Sequence, residues 1–222
     1  MLKGLRNAIF EKTQFDVYDI QQRCMYAMPL AIRRPDGLLH NPNMSPGKYH
    51  APRTGRLFLA IWPDDEVRSQ LIAHVNQWQW SLQSVRYAPT DWHTTLHFIG
   101  SVDIDRLGQI ADQVLVPFEP FYMLMDRPAI WQRGLAVLCA GETPAPLVML
   151  WAQLGDQLNR LGIAPEQRPY QPHVTLARHA QGAIPPPAVE PVGWPVRQYA
   201  LAVSTGAGAQ RYVVLREYLR QR

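Results

Sequence analysis

Cysteine is almost missing: Cys24 and Cys139 are the only two in 222 residues. A pair so far apart implies neither a disulfide framework nor a zinc site, and the cytoplasm is the expected compartment. Cys139 lies in the apolar run 135–140, where a buried free thiol is expected. Long apolar runs are missing too. No stretch approaches the roughly 20 residues that cross a bilayer. The charged start, Met1 to Arg6, has no uninterrupted apolar core after it, so neither a signal peptide nor a membrane partner is expected. Lysine vanishes after Lys48, and every later basic residue is arginine. The net charge of +4 is equally uneven: residues 1–55 hold eight basic and four acidic side chains, residues 56–222 hold 14 of each. A neutral body has no bulk attraction for a phosphate backbone. Any phosphate recognition must be local.

What is present suits one domain, or two small lobes sharing a core, since 47% of residues are hydrophobic and 18% charged. Residues 1–55 stand apart: 33–55 are rich in Pro, Asn, Gly and His, and 5–28 show no clean amphipathic period. They are expected to be an appended, partly disordered extension, with a true start at Met44 as the alternative. The body, 56–222, opens with the buried strand 56–62. Asp64 and Asp65 suit a helix N-terminus, with Val67, Leu71, Val75 and Trp78 on one stripe. Asp103 is expected to cap a second helix facing inward through Leu107, Ile110 and Val114. Residues 121–125, 129–131 and 135–140 read as strands. A third helix, 146–161, carries Leu147, Leu150, Trp151, Leu154, Leu158 and Leu161 on one face and stops at Gly162. Residues 196–203 and 211–215 read as closing strands.

Two stretches carry the chemistry. Residues 91–100 (Asp-Trp-His-Thr-Thr-Leu-His-Phe-Ile-Gly) have strand composition ended by a glycine. In a strand, His93 and Thr95 share one face, about 6.6 Å apart, while Leu96 and Phe98 take the other. Eighty residues later the pattern returns: in 170–178 (Tyr-Gln-Pro-His-Val-Thr-Leu-Ala-Arg), His173 and Thr175 share a face. One His-x-Thr-Leu is a core histidine in most proteins; two, each on a strand and a half-domain apart, point to function. The element order reads as a duplicated α+β unit, two lobes each putting a histidine on an antiparallel sheet, the sheets facing a central cleft with helices outside.

Two imidazoles can act as base and acid in one reaction, and two hydroxyls can hold the oxygens of an anion between them. A tetrahedral phosphate ester fits that demand. No metal is needed, and zinc ligands usually come in closer constellations than His93, His97, His173 and His179. No serine or cysteine elbow sits beside the motifs. His97 shares parity with His93 and Thr95 and is expected to be an exposed strand residue, with a place lining the cleft near the substrate as the alternative.

The pair 93–96 and 173–176 resembles the two signatures of the 2H phosphoesterases, in particular their RNA 2′,3′-cyclic phosphodiesterases, once described as 2′–5′ RNA ligases. Arg56 to Ile61, the contexts of both motifs, and Arg211-Tyr212 are similar as well, so the resemblance covers about residues 56–216. It implies metal-independent hydrolysis of an RNA or nucleoside 2′,3′-cyclic phosphate to a 2′-phosphate, without cofactor, by a monomer whose partners are RNA ends or nucleotides. By analogy His93 is the general acid and His173 the general base, with Thr95, Thr175 and Arg178 on the phosphate. Arg178 lies five residues after His173, so a regular strand would aim it at the opposite face; a bulge or strand end is required. The alternatives are a 2′–5′ ligase or another nucleotide phosphodiesterase, and a non-catalytic module that binds RNA ends.

Overall fold

Alternating and β-branched residues dominate the chain between its helices, and among the described residues nine strands result, all in one antiparallel sheet. The computed structural model describes residues 54–188, 190–205 and 211–220. The expected extension 1–55 therefore lies outside the described residues except for 54 and 55, which already belong to β1 (Thr54–Ile61). The other strands are β2 (Val85–Arg86), β3 (Thr94–Asp103), β4 (Phe121–Trp131), β5 (Leu135–Ala140), β6 (His173–Arg178), β7 (Val192–Val196), β8 (Gln198–Ser204) and β9 (Tyr212–Leu219). Their order is β7-β4-β5-β6-β3-β1-β8-β9, with β2 added beside β6. The two sheets expected from the sequence are thus two four-stranded wings of one continuous sheet. The wings meet at β3 and β6, whose one paired position is Thr94 with Val174.

Among the described residues three α-helices cover one face of the sheet. In α1 (Asp65–Val75) Asp64 is the N-cap, its carboxylate accepting from the Val67 amide at 2.9 Å. Trp78 is buried, but beyond the helix end. The second helix, α2 (Leu107–Gln113), is preceded by a 3-10 turn, and Asp103 closes β3 rather than capping the helix directly. In α3 (Ala145–Arg160) Leu147, Leu150, Leu154 and Leu158 form the buried stripe, while Trp151 is half-exposed. Gly162, at φ +74°, ends it as a C-terminal glycine should, and the Ile163 amide bonds back to the Leu158 carbonyl.

The helices tie the wings together by crossing over. Helix α1 follows β1 but packs against β7 of the other wing, where Gln70 accepts from the Gly193 amide at 3.0 Å. Helix α3 follows β5 but packs against β3, and the Trp151 indole donates to the Leu96 carbonyl at 3.1 Å. Two sequence expectations shift here. Residues 121–131 form one strand, kinked by a bulge at Asp126 between Met125 and Arg127, and 192–196 is a strand that pairs with β4. β7 holds Gly193 and Pro195, which weaken a strand signal. No helix among the described residues is long and apolar enough to cross a membrane. Because Leu154 is fully buried at the α3–sheet contact, Leu154→Ala should lower the unfolding free energy by about 2–5 kcal/mol, read as a lower denaturant midpoint at unchanged slope. A loss below about 1 kcal/mol would show that this stripe is not the core contact.

Candidate active site

The single β3–β6 pairing brings the two motifs together. In an antiparallel pair centred on Thr94 and Val174, His93 stands opposite Thr175, and Thr95 opposite His173. Thr94 and Val174 are fully buried under the helices, whereas His93, Thr95, His173 and Thr175 are all partly open on the other face. One face thus holds four expected residues in a two-fold related square. The imidazoles are close enough for a charge on His173 to depress the pKa of His93.

Both rings are anchored in the same way. Nδ1 of His93 lies 2.7 Å from the Asp91 carbonyl, and Nδ1 of His173 lies 2.8 Å from the Gln171 carbonyl. A carbonyl can only accept, so Nδ1 must carry the hydrogen in each, leaving Nε2 of the neutral ring as the basic nitrogen. Their surroundings differ. His93 sits just before β3 in a cage of Phe58, Trp62 and Tyr212, with Trp62 stacked on it at 5.1 Å and Tyr212 edge-on at 4.9 Å. Burial lowers its pKa from 6.5 to about 4, against the opposing effect of the Asp91 carbonyl. His173 has one aromatic neighbour, Trp131, at 4.4 Å. Burial lowers its pKa as well, while the Gln171 carbonyl and the charge of Glu166 pull it back up. Trp131 and Gln171, the neighbours of His173, also line a cleft of about 730 Å³ together with Arg127, Ala129 and Pro187.

A bulge decides where Arg178 points. β6 has one more residue than β5 between the pairs Val137–Thr175 and Ala136–Ala177. Leu176 and Ala177 are consecutively buried, and Arg178 returns to the side of His173 and Thr175. The same irregularity follows the first motif, where Leu59–His97 and Ala60–Thr95 enclose Leu96. There it reverses an expectation. His97 is not an exposed strand residue but only 2% exposed, on the helix face, with Nε2 2.8 Å from the Trp151 carbonyl and its ring stacked on the Trp151 indole. Phe98, expected to point inward, is 63% exposed on the side of the histidines.

Three further groups surround the site. Tyr212 and Trp62 complete the cage, and Tyr87, pinned by its amide to the Leu176 carbonyl at 2.8 Å, lies under the Arg178 guanidinium at 5.4 Å. Trp62 and Tyr87 carried no sequence signal beyond aromaticity. Trp92 is core, at 2% exposure. Cys139, paired with His173 across β5 and β6, is buried and free, and burial pushes its thiol up to about 11. It stays protonated at neutral pH. Among the described residues no group of three or more His, Cys, Asp or Glu side chains could hold a metal ion.

The model of the 2′-5′ RNA ligase superfamily matches residues 63–205. The RNA 2′,3′-cyclic phosphodiesterase of Escherichia coli K12 is 32% identical over 171 residues, covering 73% of this chain and 95% of its own. A crystal structure described as a phosphoesterase superposes with a TM-score of 0.69 at 26% identity, covering 76% of this chain and 99% of that one. E. coli LigT complexed with 3′-AMP gives 0.69 at 25% identity, with the same coverage.

The depressed imidazoles make a prediction about pH. A histidine whose folded pKa lies below its ordinary 6.5 takes up its proton later than the unfolded chain does. The unfolding free energy is therefore expected to fall as the pH drops from about 6.5 towards about 4, and to be free of this contribution above 6.5. Denaturant unfolding across that window should show the decline, less steep in His93→Gln; equal slopes for both proteins would contradict the burial of this ring.

Proposed function

Because the chain belongs to the 2′-5′ RNA ligase superfamily and is a 2H phosphoesterase, we propose that it hydrolyses the 2′,3′-cyclic phosphate of an RNA end or nucleotide to a 2′-phosphate. The observation that carries this reading is the square of His93, Thr175, His173 and Thr95 about the Thr94–Val174 pair, with both Nδ1 atoms tied to carbonyls. A phosphate centred there meets one basic ring nitrogen on each side and a hydroxyl beside each. His173, the wetter ring, takes a proton from the attacking water as general base. The new P–O bond forms as the bond from phosphorus to O3′ breaks, and His93 protonates O3′ as general acid. Thr95 and Thr175 donate hydrogen bonds to the non-bridging oxygens, and Arg178 adds a charge-assisted contact.

Burial leaves His93 neutral in the free protein at pH 7. An acid must be protonated, and the bound phosphate anion supplies the opposite charge that raises its pKa. The faces of Phe58, Trp62 and Tyr212 suit a cationic ring as well as a neutral one. The dry cage thus makes His93 acidic enough to release its proton to O3′. On the same reading the wings are the halves of a duplicated unit: β1-α1-β3 and β5-α3-β6 each end in a His-x-Thr motif, and each helix covers the other half's sheet.

His93→Ala and His173→Ala should each reduce hydrolysis of adenosine 2′,3′-cyclic phosphate by at least 10²-fold, with full wild-type activity in EDTA and a 2′-phosphate as product. On an aryl phosphodiester, whose leaving group needs no proton, His93→Ala should recover most of its loss and His173→Ala should not. Rescue of His173→Ala instead would reverse the two roles, and a 3′-phosphate product would overturn the proposed bond cleavage.

A further inference from the structure

The end of the site beyond Thr175 holds two cations where a cyclic phosphate monoanion needs one. Arg178 reaches this end through the bulge in β6. Arg211 enters from the start of β9, next to Tyr212, whose ring touches His93. Both guanidinium carbons lie over the ring of Tyr87, at 5.4 and 5.0 Å from its centre. The backbone of Tyr87 is held beside β6 by the bond from its amide to the Leu176 carbonyl.

Among the described residues neither guanidinium forms an ion pair, and Nε of Arg178 is buried without a hydrogen-bond partner. Asp91, at 9% exposure, is the nearby carboxylate; it acts on Arg211 through space and makes no ion pair with it. Two like charges gathered on one ring repel each other. A guanidinium stacked on an aromatic face still leaves its N–H edge free to fork an anion. Such an arrangement suits a ligand that brings more than one negative group.

The geometry points to Arg211, held by Tyr87, as a second anion subsite that takes the phosphate on the 5′ oxygen of the nucleoside whose cyclic phosphate lies between the histidines. The inference rests on the proposed reaction and narrows its substrate class. The substrate is then a strand end or a 5′-phosphorylated nucleotide rather than a bare nucleoside cyclic phosphate. Arg178 serves the reacting phosphate and Arg211 the next one along.

The test compares three substrates of the full-length enzyme: adenosine 2′,3′-cyclic phosphate, its 5′-phosphorylated form, and a dinucleotide ending in the cyclic phosphate. The wild type should favour the last two in kcat/KM by about tenfold or more, chiefly through KM. Arg211→Gln should abolish that preference and reduce the salt slope of log KM for the dinucleotide by about 0.7. Arg211→Lys, which keeps the charge but not the fork, should fall between them. Preference for the 5′-phosphorylated mononucleotide alone would assign a nucleotide substrate; preference shared by the dinucleotide assigns a strand end. Equal kcat/KM for all three substrates in the wild type, or an equal loss on all three in Arg211→Gln, would overturn the subsite.

Calorimetric titration with adenosine 2′-phosphate and adenosine 2′,5′-bisphosphate separates this from the reaction itself. Tighter binding of the bisphosphate by about tenfold, lost in Arg211→Gln, upholds the subsite even if no substrate is turned over, in which case the proposed hydrolysis fails alone. Equal affinity of the wild type for both ligands sinks the subsite whatever the turnover.

Discussion

Everything at the site depends on one backbone pairing, Thr94 against Val174, at the seam between two wings of a single sheet. Each wing is well paired internally, so each holds its own His-x-Thr motif on a rigid strand edge. At the seam the ladder is confined to one position. That position sets the register: a shift by one residue would turn every side chain to the other face, burying the histidines and exposing Thr94 and Val174. The helices defend the register from behind. Each is covalently part of one wing and packed on the other, so the wings cannot slide without breaking the buried contacts of α1 with β7 and α3 with β3.

The second constraint is the extra residue after each motif. Inserting one residue into a strand reverses the parity of everything beyond it. After Thr175 this brings Arg178 round to the histidines; after Thr95 it takes His97 into the core and exposes Phe98. Two chemically unlike outcomes follow from one device, because the residues downstream differ. One end of the site becomes cationic and the other aromatic, although each bulge follows a His-x-Thr motif.

The two histidines differ as well. Both are fixed through Nδ1, but His93 is enclosed by three aromatic rings from β1, β9 and the turn after β1, whereas His173 has Trp131 beside it. Burial penalises the charged ring wherever compensation is missing. Two identical side chains with the same anchor therefore sit in different surroundings, the asymmetry on which the proposed division into acid and base rests.

The square of His93, Thr95, His173 and Thr175 was legible in the sequence because alternation in a strand is a local property, and a motif that occurs twice supplies its own control. The N-cap at Asp64, the stripe of α3 and the stop at Gly162 were legible for the same reason: each follows from a few neighbouring residues. β7 was not, since its Gly193 and Pro195 contradict strand propensity and its pairing with β4 comes from far along the chain. Nor were the fates of His97 and Phe98, because a bulge is specified by the neighbouring strand's register and leaves no mark on composition. For Arg178 the sequence defined the condition, a bulge or strand end, and the fold met it. Residue types and spacing by themselves determined which groups could do phosphate chemistry. Tertiary structure alone decided that two distant strands meet at one pair, which ring is dry, and which side chains beyond the threonines face the site, since each depends on strands and helices packed from elsewhere in the chain.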